Sequence, residues 1–160
     1  MSAGFSLRPA APTDVATLLR LIRALADYER LADQVRATEA DLATALFESP
    51  PRAGALIAEI ADEAVGFALW FYTFSTFTGR PGLYLEDIYV APAHRGRGIG
   101  RAVFRHLARL AEAEGCARLE WAVLDWNTPA RRFYAALGAE PMSEWTVQRI
   151  SGPELARLAR

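Results

Sequence analysis

An α+β fold, mixed α/β in its second half, is predicted by three observations. Short apolar segments at 5–8, 55–60, 64–76 and 83–90 include neighbours joined by brief turns, as in an antiparallel sheet. From residue 83 onward the order becomes strand, helix, strand. At that change stands Arg95-Gly96-Arg97-Gly98-Ile99-Gly100, with glycine at every second position. The 160 residues suit one domain spanning 1–160, and 52% hydrophobic with 23% charged residues describes an ordinary globular chain.

Each element has its own warrant. Phe5-Ser6-Leu7-Arg8 is a short strand stopped by Pro9 and Pro12. Thr13 is placed to cap a helix in which Val15, Leu18, Leu19, Ile22 and Leu25 recur at helical spacing, ending near Tyr28-Glu29. Thr38-Glu39-Ala40-Asp41 resembles a capping arrangement for a second helix to Phe47, closed by Pro50-Pro51. Ala55 to Ile60 and Ala64 to Thr76 form strands around a turn at Ala61-Asp62-Glu63, and Leu83 to Val90 is the next strand. Ala102 to Glu114 is amphipathic, with Val103, Leu107, Leu110 and Ala111 on one face, and Gly115 ends it. Arg118 to Leu124 reads as strand again. Pro129 lies in the first turn of a helix to Leu137, with Gly138 just beyond its end. One or two antiparallel strands and a short tail from Pro153 are expected to complete the chain.

Composition narrows the function. A net charge of −1 argues against nucleic acid as a partner, because a phosphate-tracking protein carries a basic excess. The single Cys116 rules out an internal disulfide, and His94 and His106 lie too far apart for zinc-ligand spacing, so no metal is expected. The uncharged run Ala64 to Gly79 is shorter than the ~20 residues of a spanning helix, so no membrane role is expected. The first residues lack a leader pattern, and a cytoplasmic location is expected.

The glycine loop points unpaired N–H groups and the positive end of a helix dipole at one place, which suits phosphate. Arg95, Arg97 and Arg101 add positive charge around it. No lysine follows the glycines as a kinase-type P-loop needs. A dinucleotide fingerprint would need its third glycine one residue later, although Glu120 lies near the expected acidic position.

The pattern Arg-x-x-Gly-x-Gly at Arg95–Gly100 resembles the acyl-CoA pyrophosphate loop of the GNAT family of N-acetyltransferases. Three further segments strengthen the likeness: Leu83 to Pro92, Ala122-Val123-Leu124-Asp125-Trp126-Asn127, and Arg132 to Ala139. Together they resemble the diamine (spermidine/spermine) acetyltransferase branch, and in wording the thialysine acetyltransferases. The likeness runs from Leu7 through most of the chain. It implies a central mixed, mostly antiparallel sheet flanked by helices, acetyl-CoA as cofactor, a small-molecule primary amine as acceptor, direct attack in a ternary complex, and a homodimer. It also implies that Arg95, Gly96, Arg97, Gly98, Ile99, Gly100 and Arg101 hold the pyrophosphate. The pantetheine arm would lie along the main chain of Ile88, Tyr89 and Val90. Asn127, Thr128, Pro129 and Ala130 form a further cofactor contact, where Asn127 also reads as a helix cap.

Two carboxylates sit inside the apolar strand Leu83 to Val90, where a charge must be paired, hydrated or functional. In a regular strand Glu86 lies with Tyr84 and Ile88, while Asp87 lies with Leu85 and Tyr89, so the two cannot share a cavity. The resemblance places Glu86 toward the substrate amine as a catalytic residue and Asp87 as a substrate contact; the plainer alternative is that either binds an arginine or an edge amide. An amine with pKa near 10.4 holds its proton at pH 7 by roughly 4.6 kcal/mol, and an ordinary carboxylate is a poor base for it. Electrostatic capture of the ammonium with deprotonation relayed by water is therefore expected of Glu86. Tyr134 is the candidate acid, because a phenol near pKa 10 can protonate a thiolate of pKa about 8.5 and stays neutral itself; a core tyrosine is the alternative. Tyr28, Glu29, Glu120, Trp121 and Ala122 are further substrate contacts by resemblance, and Glu144 stands as a possible acidic substitute. Ser75 occupies a position where polyamine-acetylating relatives carry aspartate, which shifts the expected acceptor toward a smaller, lysine-like amine. The competing expectations are a protein lysine or N-terminal acetyltransferase and a non-enzymatic acyl-CoA-binding sensor.

Overall fold

A computed structural model describes residues 4–160. The leader reading begins on residues 1–3, outside the described residues. The chain falls into two compact units, one ending at Ala122 and the other covering Val123–Arg160.

The first unit contains a five-stranded sheet in sequence order. Its strands are β1 (Ser6–Pro9), β2 (Gly54–Ile60), β3 (Glu63–Ser75), β4 (Arg80–Val90) and β5 (Leu119–Glu120). All neighbours are antiparallel except β4 and β5. That parallel pair needs a crossover, and helix α3 (Ile99–Ala113) supplies it. Helices α1 (Val15–Tyr28) and α2 (Glu39–Phe47) cover the face that carries Ile57, Phe67 and Tyr89, packing Leu18, Leu21, Leu25, Leu42 and Leu46 there. On β3, Phe67 belongs to that cluster, so by alternation Ala68 and Trp70 point to the other face. Trp70 there has its ring centroid 6.4 Å from that of His106 on α3. Each fully buried leucine, such as Leu18 or Leu107, contributes about 1.5–3 kcal/mol.

Local chemistry sets the boundaries. The Thr38 hydroxyl accepts from the Asp41 amide at 3.2 Å, and the Asp41 carboxylate accepts from the Thr38 amide at 2.8 Å, the reciprocal cap read for α2. At α1 the cap differs from expectation. Residues Pro12–Asp14 form a 3-10 turn, and Asp14, not Thr13, takes the Ala11 amide at 2.7 Å. Asp14 also accepts from Arg8 at 2.6 and 2.9 Å, and Arg8 reaches Glu59 at 2.9 Å, tying the α1 entry to the β1–β2 edge.

Two other expectations are corrected. The strand expected over 118–124 is limited to Leu119–Glu120, paired only as Leu83↔Leu119 and Tyr84↔Glu120. The next residue, Trp121, packs its ring edge-on against Phe104 of α3, with centroids 4.8 Å apart. In the second unit, α4 (Thr128–Ala136) matches the sequence, and Asn127 caps it by accepting from the Ala130 amide at 3.3 Å. The antiparallel strands expected after Gly138 do not form among the described residues, and the tail from Pro153 belongs to α5 (Gly152–Leu158). The Ala139 amide donates to the Tyr134 carbonyl and the Trp145 amide to the Met142 carbonyl, each at 3.1 Å, which are turn bonds and not ladder bonds.

Candidate active site

The glycine loop follows the C-terminal end of β4 and opens α3. Gly96 and Gly98 have φ of 77° and 85°, and nothing lies within 4 Å of where a Cβ would stand on either. These left-handed turns favour glycine and let a ligand approach the main chain. Gly98 caps α3 without a side-chain bond, and the first helical hydrogen bond runs from Ala102 to the Gly98 carbonyl at 3.0 Å. The amides of Ile99, Gly100 and Arg101 therefore have no protein acceptor among the described residues. Arg97 and Arg101 are exposed and form no ion pair among the described residues. Amide cradle and free cations together fit a pyrophosphate.

Arg95 is placed differently from those two. Its Nε donates to the Val90 carbonyl at 2.8 Å. Its guanidinium carbon lies 4.6 Å from the Tyr28 ring centroid and 5.8 Å from that of Tyr89. The loop is thereby tied to the end of α1. The Val90 carbonyl is taken by this bond, while β5 leaves residues 85–90 of β4 without a ladder partner on its side. By alternation the main-chain groups of Tyr89 turn to Phe67 of β3 and those of Ile88 lie on the open strand edge, and an extended ligand can use such an edge.

The carboxylates depart from the regular-strand expectation. Pairing passes from Leu69↔Asp87 to Trp70↔Leu85, so β4 carries one extra residue, Glu86, at a β-bulge. Leu85, opposite Trp70, faces α3. Asp87, opposite Leu69, faces α1 together with Tyr89, because Leu69 packs against the α1–α2 core. Leu85 and Asp87 therefore lie on opposite faces, and Glu86 is exposed at the kink. Burial, then the neighbouring charges of Glu86 and Glu29, push the Asp87 carboxyl up to about 6. Burial also raises Glu29. Tyr84 shares the α1 side with its partner Phe71, their rings 5.1 Å apart; burial and then Glu86 and Glu120 raise its phenol.

The structure thus gathers Tyr28, Glu29, Asp87, Tyr89 and Arg95 at the end of α1, with Glu86 close enough to act on Asp87. Glu120 pairs with Arg118 at 2.9 Å, Trp121 turns to α3, and Ala122 is exposed. In the second unit, Thr128, Pro129 and Ala130 form the first turn of α4 and Asn127 is buried at its cap. Tyr134 is half-buried on that helix, its ring 5.6 Å from Phe133, and Glu144 is exposed. Sequence reasoning missed the bulge, which only the pairing of β4 with β3 reveals. It also missed Arg95 on Tyr28, which only the fold brings together.

Known proteins resemble this chain in sequence and in fold. The acetyltransferase (GNAT) family matches residues 18–139. Thialysine N-epsilon-acetyltransferase of Bos taurus is 41% identical over 164 residues, covering 96% of each chain. L-ornithine N5-acetyltransferase of Arabidopsis thaliana is 30% identical, covering 93% of this chain and 85% of its own. An integron cassette protein from the mobile metagenome of V. cholerae superposes with a TM-score of 0.81 at 28% identity, covering 98% of both chains.

Proposed function

The chain belongs to the acetyltransferase (GNAT) family and is an acyltransferase enzyme, and from that premise we propose that it moves an acetyl group from acetyl-CoA to the primary amine of a small, lysine-like molecule. The supporting observation is the group of carboxylates Glu29, Glu86 and Asp87 beside the glycine loop, a setting made for an ammonium. Relatives named for thialysine and ornithine as acceptors favour the same size of amine.

In this reading the amides of 99–101, with Arg97 and Arg101, hold the pyrophosphate, and the open edge of β4 about Ile88 holds the pantetheine arm. Acetyl-CoA, when bound, supplies the activated acetyl thioester. Glu29, Asp87 and Glu86 fix the acceptor's ammonium. Asp87, with its carboxyl pushed up to about 6, is a better proton acceptor than an ordinary aspartate, and water at the exposed Glu86 carries the proton away. Direct attack follows once the amine is neutral and in line. Tyr134, by its place in the family motif, gives its hydroxyl proton to the departing sulfur. Asn127, Thr128, Pro129 and Ala130 are assigned to the cofactor on the same ground. Tyr28 is assigned to the acceptor; Glu120, Trp121, Ala122 and Glu144 remain outer contacts.

We assign a second copy of the chain as partner, covering the exposed Met142, Trp145, Val147 and Ile150. No described helix is long and apolar enough to cross a membrane, and we place the enzyme in the cytoplasm. A thiol-release assay with acetyl-CoA tests the activity. Release with lysine-like amines and none with lysine peptides is expected. Release with peptides alone would replace the small-amine reading, and binding of acetyl-CoA without release to any acceptor would end it.

A further inference from the structure

Helix α3 carries a row of like charges that no described residue answers. Arg101, Arg105 and Arg109 recur at every fourth position, and all three are exposed. None forms an ion pair among the described residues. The first turn holds no acid, and none occurs on α3 before Glu112. Like charges four apart repel along a helix, and a cation in the first turn opposes the helix dipole. Such a row weakens the free helix and is relieved by an anion on its outer face. The inner face is closed, because Val103, Phe104 and Leu107 are buried. A nucleoside attached to a pyrophosphate at 99–101 therefore meets, on α3, the outer face alone. Arg105 lies one turn beyond Arg101, about 6 Å along the axis and about 40° around it. Coenzyme A carries a 3′-phosphate one ribose away from its pyrophosphate, a separation of the same order. Arg109 lies a further turn on, about 12 Å from Arg101 along the axis.

Resting on acetyl-CoA as the donor, we propose that Arg105 is a specificity-determining residue that takes the 3′-phosphate of coenzyme A. Arginine suits the task because its planar fork matches phosphate oxygens with two parallel hydrogen bonds. A phosphate monoester brings about −1.5 to −2 charges at pH 7, enough to offset the repulsion along the row. The protein then distinguishes full coenzyme A from its 3′-dephospho form. Arg97 and Arg101 remain with the pyrophosphate, and Arg109 stays outside the cofactor.

The test is calorimetric titration of coenzyme A and of 3′-dephospho-coenzyme A into the full chain. The wild type should bind coenzyme A about 10-fold more tightly, the low end for a charge-assisted pair because Arg105 is exposed. Arg105→Gln should raise the Kd for coenzyme A by that factor and leave the Kd for the dephospho form within about twofold. Arg105→Lys should recover part of the loss, keeping charge without the fork. Arg109→Gln should keep the preference of the wild type. Equal binding of the two ligands by the wild type overturns the proposal without any variant. So does an Arg105→Gln defect shared by both ligands, or a preference that Arg109→Gln abolishes. If neither form of coenzyme A binds, the donor reading fails, and titration of adenosine 3′,5′-bisphosphate against adenosine 5′-monophosphate then decides on Arg105 alone. A preference for the bisphosphate that Arg105→Gln removes supports the role; equal binding, or none, ends it.

Discussion

Asp87 is the residue whose environment departs furthest from what its type implies. Burial raises its carboxyl to about 6, with Glu86 and Glu29 adding to the shift. An acid whose folded pKa lies above its ordinary 3.8 favours the protonated fold, so stability falls as pH rises from about 4 through 6. Binding of an ammonium needs the ionised form. The pH profile of kcat/KM should therefore bend near 6 in the wild type, and the bend should vanish in Asp87→Asn along with most of the amine affinity. A bend that survives the substitution assigns it elsewhere. Tyr134→Phe removes one hydroxyl and should lower kcat by about 10²- to 10⁴-fold with acetyl-CoA affinity nearly unchanged. Equal loss in both would mark it as a packing residue. The chemical types of these residues were legible in the sequence. The face on which Asp87 lies was not, because a single extra residue opposite Leu69 and Trp70 inverts the alternation that a regular strand would give.

At the scale of elements, the entry to α1 is fixed by the group of Arg8, Asp14 and Glu59. The Arg8 hydrogen bonds hold the Asp14 carboxyl below its ordinary value of 3.8, and the Ala11 amide adds to this. An acid with a depressed folded pKa stabilises the fold above its unfolded value and loses that contribution as pH falls through the folded one. Asp14→Asn should cost about 1–3 kcal/mol at pH 7, discounted because Arg8 is partly exposed, and should flatten the loss of stability below pH 4. Thermal unfolding at pH 7 and pH 3 checks both. The cap of α2 was readable because Thr38 and Asp41 act within one turn. That of α1 was misread because its carboxylate answers to Arg8 on a strand, six residues away. Local chemistry can be read from sequence; a partner supplied by the fold cannot.

For the whole molecule, the order of helices and strands through α4 was legible, whereas the stretch beyond Gly138 was not. Trp145, Val147 and Ile150 give residues 145–150 the composition of a strand, yet Trp145 and Val147 are 76% and 83% exposed. A strand pattern predicts a place in a sheet only if a neighbour is available, and residues 145–150 form no strand among the described residues. If a second copy covers this stretch, light scattering should give twice the 17.6 kDa chain mass, and Trp145→Ser with Val147→Ser should halve it. A wild-type protein that runs as a single chain at high micromolar concentration removes the assignment. The short pairing of β5 bears on the entire assembly in another way. Where β4 lacks its neighbour, over 85–90, the amides on that side of a central strand have no ladder partner. Deuterium should enter those amides rapidly in the free enzyme and slow sharply once coenzyme A is added, so labelling of this one peptide would report how full the protein is, with no acetyl transfer taking place.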